Sequence, residues 1–128
     1  MITRADYFMG RDVTHASELT PTIEGEAEIT IQCINSLLEA FGEDRTVNSG
    51  WRPRGINAAT PGAAQFSKHM TGQACDLSDP HGDLDEWAFV HHDVLKRIGL
   101  WQEHPASTKG WAHFQTIPPR SGNRTFYP

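Results

Sequence analysis

Residues 67–78 read Ser67-Lys68-His69-Met70-Thr71-Gly72-Gln73-Ala74-Cys75-Asp76-Leu77-Ser78. From Gln73 onward the polarity alternates. Ala74, Asp76 and Ser78 fall on one face of an expected strand, with Cys75 and Leu77 on the other. His69 stands at the mouth of that strand, seven residues before Asp76. Gly72 permits a tight turn between them, so both side chains can point at one centre. Imidazole nitrogen and carboxylate oxygen are both good ligands for zinc. A catalytic zinc usually takes three protein ligands and keeps one position open. His113 is the best third candidate. It lies in a second expected strand, Trp111–Ile117, with Trp111, His113 and Gln115 on one face and Phe114 as an aromatic neighbour.

On the N-terminal side, Ala27, Ile31, Ile34, Leu38 and Phe41 recur at steps of three and four and predict a helix over Pro21–Phe41. Thr20 can cap it, Pro21 suits its first position and Gly42 its end. On the C-terminal side, Leu84, Trp87, Ala88, His91, Val94, Leu95 and Ile98 predict a second helix over Leu84–Ile98. Asp83 and Glu86 resemble a capping box at its start. Short strands are expected at Thr46–Ser49 and Leu100–Glu103. The Pro- and Arg-rich tail Pro118–Pro128 is expected to wrap over the surface. This order predicts an α+β fold, a small antiparallel sheet flanked by helices, forming one domain over residues 1–128.

Composition excludes several classes. The net charge is −5, which argues against nucleic acid as a partner. Residues 1–48 carry nine acids and three bases, whereas residues 49–128 carry seven acids and eight bases, so the acidity belongs to the first part. No apolar run reaches the ~20 residues of a membrane span, so no membrane insertion is expected. The first residues lack the layout of a secretory signal, which predicts synthesis in the cytoplasm. Cys33 and Cys75 make no disulfide framework and read as small packing side chains. Of the seven His, His15, His81, His91 and His92 read as ordinary structural or surface residues. The run Asp79-Pro80-His81-Gly82-Asp83 reads as a turn leading into a helix cap rather than a cation site.

The pattern Ser67-x-His69-x-x-Gly72-x-Ala74-x-Asp76, followed by Trp111-x-His113, resembles the zinc D-Ala-D-Ala peptidase family. That family comprises D,D-carboxypeptidases, D-Ala-D-Ala dipeptidases and L-alanyl-D-glutamate endolysins, and it shares its metal site with the hedgehog signalling domain. Ser49-Gly50-Trp51-Arg52-Pro53 and Asn57 are similar to a further family stretch. Gly10-Arg11 and the tail resemble a small subfamily found in phages and prophages. The resemblance implies a hedgehog/D,D-peptidase-like fold, with zinc held by His69, Asp76 and His113. It also implies a peptidoglycan stem-peptide substrate. With no secretory signal read, the cell wall or periplasm is expected to be reached through phage lysis or virion delivery, and a monomer is expected. Arg52 is expected to bind a substrate carboxylate bidentately. Ser67 is expected to orient a ligand, cap the turn or contact substrate, and Trp111 to wall the cleft on the substrate side.

The best-known relatives carry an acid three residues before the last His ligand, and this chain has Gly110 there. Glu103 is the nearest preceding carboxylate. A hairpin through Pro105–Gly110 can bring it beside His113 as the general base. His104 competes as an orienting group or proton donor. A zinc-binding phage structural or wall-binding module without turnover is the alternative that Gly110 raises.

Overall fold

The computed structural model describes all residues, Met1–Pro128. Six helices are present: α1 (Arg4–Phe8), α2 (Arg11–Thr14), α3 (Pro21–Phe41), α4 (Arg54–Ala59), α5 (Asp83–Phe89) and α6 (His92–Ile98). Five strands, β1 (Val47–Ser49), β2 (Ala74–Ser78), β3 (Trp101–Glu103), β4 (Trp111–Gln115) and β5 (Thr125–Phe126), form one sheet in the order β1-β2-β4-β3-β5. All pairings are antiparallel except β3 with β5. The fold is α+β, as the sequence predicts. No helix is long and apolar enough to cross a membrane.

α3 matches its predicted span. The Thr20 hydroxyl accepts from the Ile23 N–H at 3.1 Å, Pro21 opens the helix, and Gly42 closes it at φ 94°. Its buried stripe, Ala27, Ile31, Ile34, Leu37 and Leu38, meets Cys75 and Leu77 of β2 and Ala112 and Phe114 of β4 in one apolar cluster. The alternation along β2 and β4 therefore divides the sheet. One face builds the core, and the other carries Asp76, Trp111, His113 and Gln115 into a cleft.

The second predicted helix is broken. The chain leaves α5 after Phe89, and His91 has φ −121° and ψ 50° before α6 begins. His91 Nδ1 lies 2.7 Å from the Trp87 carbonyl, the acceptor that a continuous helix would give to the His91 N–H. The ring also stacks on Trp87, with centroids 4.3 Å apart. A side chain that takes the i−4 carbonyl competes with the backbone for it. The start of α5 differs too. Gly82, not Asp83, precedes it, and the buried Asp79 carboxylate accepts from the Leu84 and Asp85 N–H groups at 3.1 and 2.8 Å. The turn reading of Asp79–Asp83 fits this arrangement, whereas the Asp83/Glu86 capping box does not form.

Candidate metal centre

His69, Asp76 and His113 converge. Each offers one ligand atom, and these atoms all lie within 4.8 Å of one another. Sheet register accounts for half of this, because Asp76 and His113 are direct cross-strand partners between β2 and β4. His69 arrives through the turn before β2. Gly72 adopts φ +76°, and a Cβ there would lie 2.9 Å from the Ile23 carbonyl and 3.2 Å from the Ala27 nitrogen. Glycine thus serves both the turn and the close approach to α3. The buried Thr30 hydroxyl donates to the Gly72 carbonyl at 2.7 Å and fastens turn to helix.

The segment 50–52 laces the same turn from the other side. The Arg52 N–H donates to the His69 carbonyl at 3.1 Å. The Trp51 indole N–H donates to the Met70 carbonyl, also at 3.1 Å. His69 Nδ1 lies 2.8 Å from the Gly50 carbonyl, which can only accept. His69 therefore carries its hydrogen on Nδ1. Its ring is 1% exposed, and burial pushes its pKa below the ordinary imidazole value against the opposing pull of Asp76. The neutral ring leaves a lone pair on Nε2, which is buried and makes no hydrogen bond although Asp76 Oδ2 lies 3.2 Å away.

His113 is oriented the same way. Its Nε2 lies 2.9 Å from Gln115 Oε1, and its Nδ1 lies 2.8 Å from Asp76 Oδ1. Burial alone would lower its pKa, but the hydrogen bond and charge of Asp76, with Gln115 and Glu103 in support, raise it. Burial likewise opposes ionisation of Asp76, yet the two imidazoles outweigh it and hold the carboxylate well below its usual range. Two imidazole nitrogens and an ionised carboxylate thus face one point, one nitrogen without any partner. That donor set fits a divalent cation such as zinc.

The surrounding cleft, of about 820 Å³, is lined by Arg52, Ser67, Glu103, Trp111 and Gln115 together with the three convergent residues. Gln102 on β3 pairs with Phe114 on β4, so Glu103, the next residue, lies alongside His113. Burial raises the Glu103 pKa while the nearby His113 lowers it. Arg52 is buried, its Nε has no partner, and its Nη2 donates only a long 3.4 Å bond to Ser67 Oγ. Ser67 Oγ also accepts from the His69 N–H at 3.2 Å.

His104, expected as an orienting group or proton donor, is not among the residues that line the cleft. The chain turns out of β3 after Glu103. His104 Nδ1 accepts from the Ala106 N–H, and its ring stacks on Tyr127 with centroids 4.4 Å apart. Gly110 adopts φ +86° in the turn before β4 and offers no carboxylate. Sequence reading missed the Gly50 carbonyl and Gln115 as supports of the two histidines. It also missed the tail as a cleft wall. Phe126 packs edge-on against His113 at 6.2 Å, and Arg120 and Tyr127 line the same cleft.

An α+β chain that gathers His, Asp and His on one face of a mostly antiparallel sheet has the outline of a metallohydrolase. The sequence model of the family described as Peptidase M15 matches residues 9–105, and the chain belongs to that family. Its members are zinc-dependent peptidases. No curated protein and no solved structure matches the chain.

Proposed function

We propose that the chain is a zinc peptidase that hydrolyses stem peptides of peptidoglycan. The observation that carries this reading is the buried, partnerless Nε2 of His69, aimed with Asp76 and His113 Nδ1 at one point beside Glu103 and Arg52. His69, Asp76 and His113 would hold the ion. When bound, zinc would supply a Lewis acid for the scissile carbonyl and a water that is nucleophilic near neutral pH. Glu103 accepts the proton of the attacking water and delivers it to the leaving amine. Its raised pKa suits a group that must take a proton and then release it. Arg52, with most of its five N–H donors free, binds a substrate carboxylate or carbonyl oxygen, and Ser67 holds its outer nitrogen. Trp111 walls the substrate side.

The test is digestion of purified peptidoglycan by the zinc-loaded protein, with products identified by mass. New amines or released D-Ala are expected. Glu103→Gln should lower turnover by about 10²–10⁴-fold and keep its zinc, because Glu103 is no ligand. Residual activity near the parent level in that variant moves the base elsewhere. The absent carboxylate at Gly110 favours a second reading, a zinc-binding wall or particle module without turnover. Intact peptidoglycan after digestion selects it.

A further inference from the structure

Gln115 makes two hydrogen bonds that fix its amide from both ends. Its Nε2 donates to the Ile117 carbonyl at 2.8 Å, so its Oε1 is the atom turned to His113 Nε2, 2.9 Å away. A carbonyl oxygen only accepts, so His113 must donate from Nε2. Gln115 has little freedom to move. It is 5% exposed. Its backbone sits on the central strand β4, opposite Ala74 of β2 on one side and Trp101 of β3 on the other.

The contact matters because Asp76 alone favours the wrong tautomer. Asp76 Oδ1 lies 2.8 Å from His113 Nδ1, close enough to accept a hydrogen from it. Bonds to an ionised acceptor are roughly twice as strong as neutral ones. An imidazole that satisfies Asp76 in this way carries its hydrogen on the ligating nitrogen and leaves its lone pair facing away. A second acceptor, on the far side of the ring, is needed to reverse that preference.

We propose that Gln115 is the positioning residue of the third metal ligand, its side-chain oxygen holding the Nε2–H of His113 so that the Nδ1 lone pair faces the centre. The proposal rests on the zinc reading above and pairs Gln115 with the Gly50 carbonyl, which does the same for His69. One histidine is steered by backbone and the other by a side chain. Only the second can be removed by substitution without moving the chain.

The test measures zinc affinity of the full chain by chelator competition, with melting of the metal-free protein as the control for folding. Gln115→Leu should weaken zinc by about 10–100-fold while the metal-free melting temperature holds. Gln115→Glu, which keeps an acceptor at that place, should restore affinity to within about threefold of the parent. Gln115→Met serves where the leucine variant does not fold. A folded Gln115→Leu or Gln115→Met protein that binds zinc as tightly as the parent overturns the proposal. So does a Gln115→Glu protein that loses as much affinity as the leucine variant. A parent chain that binds zinc but leaves peptidoglycan intact defeats only the peptidase reading. A parent chain that binds no zinc defeats both.

Discussion

At the scale of single residues, the centre depends on a backbone atom, the Gly50 carbonyl, that no pattern of side chains specifies. A Cβ built there would lie 1.9 Å from the Tyr7 carbonyl oxygen and 2.9 Å from the Tyr7 ring. Tyr7 cannot retreat, because it is fully buried and its hydroxyl donates to the Ala74 carbonyl at 2.8 Å, at the first residue of β2. Gly50→Ala must therefore push Gly50 off α1 and carry its carbonyl away from His69. The expected outcome is a loss of about 1–3 kcal/mol of stability, read by urea unfolding, together with weaker zinc binding. A Gly50→Ala protein with the stability and affinity of the parent contradicts this account. The convergent trio was legible in sequence because its residue types and spacing are themselves the signal. The Gly50 carbonyl was not, since every residue carries one and only tertiary approach selects it. Gln115 was equally hidden. A polar residue at an outward strand position looks like solvent-facing surface until its partner ring is seen.

At the scale of elements, what holds Glu103 in place is a buried clamp behind β3. Asp85 on α5 is 2% exposed. Its carboxylate accepts from Gln102 Nε2 on β3 at 2.7 Å and from the Thr108 hydroxyl in the following loop. Burial pushes the Asp85 pKa above its ordinary value of 3.8, and the two hydrogen bonds pull it only part of the way back. A raised carboxyl stabilises the fold most when protonated. Its contribution is complete below the unfolded value and is lost as pH rises through the folded one. Thr108→Val removes one donor and leaves the ionised form worse off. A deficit of about 1–3 kcal/mol is expected near neutral pH, shrinking on acidification toward the ordinary carboxylate range. Urea unfolding of both proteins at the two pH values checks it, and an equal deficit at both would count against the clamp. α3 was legible because 21 residues of regular periodicity carry their own caps. The α5–α6 break was not, because the periodicity runs through it and the interruption comes from one imidazole competing for one carbonyl. α1, α2, α4 and β5 have two to six residues each. Such elements draw stability from what they pack on rather than from local pattern. β5 in particular exists only by pairing with β3, more than twenty positions earlier in the chain.

At the scale of the whole molecule, the candidate metal centre lies where separate parts of the chain meet. His69 belongs to a turn laced to Gly50–Arg52 and fastened to α3 by Thr30. Asp76 and His113 lie on adjacent strands, and Phe126 of the tail closes the far side. Ordering these segments without a cation leaves a buried lone pair facing a carboxylate. Zinc should therefore favour the folded chain over the unfolded one, which offers no such cluster. With free zinc at 1,000 times the dissociation constant, linkage gives about 4 kcal/mol. For a chain of this size that corresponds to a rise of roughly 10–20 °C in melting temperature. Stripping with a chelator should return the melting point, and added zinc should restore it. Acid should erase the difference. Burial opposes a proton on His113, but Asp76 outweighs burial and holds that proton to a higher pH than an ordinary imidazole would. As pH falls below that raised value, protons compete with the ion, and the zinc-dependent part of the stability shrinks by about 1.4 kcal/mol per pH unit. Melting curves with zinc and with chelator, recorded across the range from neutral to mildly acidic, test both statements. Superimposed curves near neutral pH would show that the three residues hold no ion that matters to the fold. A gap that persists unchanged into acid would place the bound metal elsewhere, away from His113.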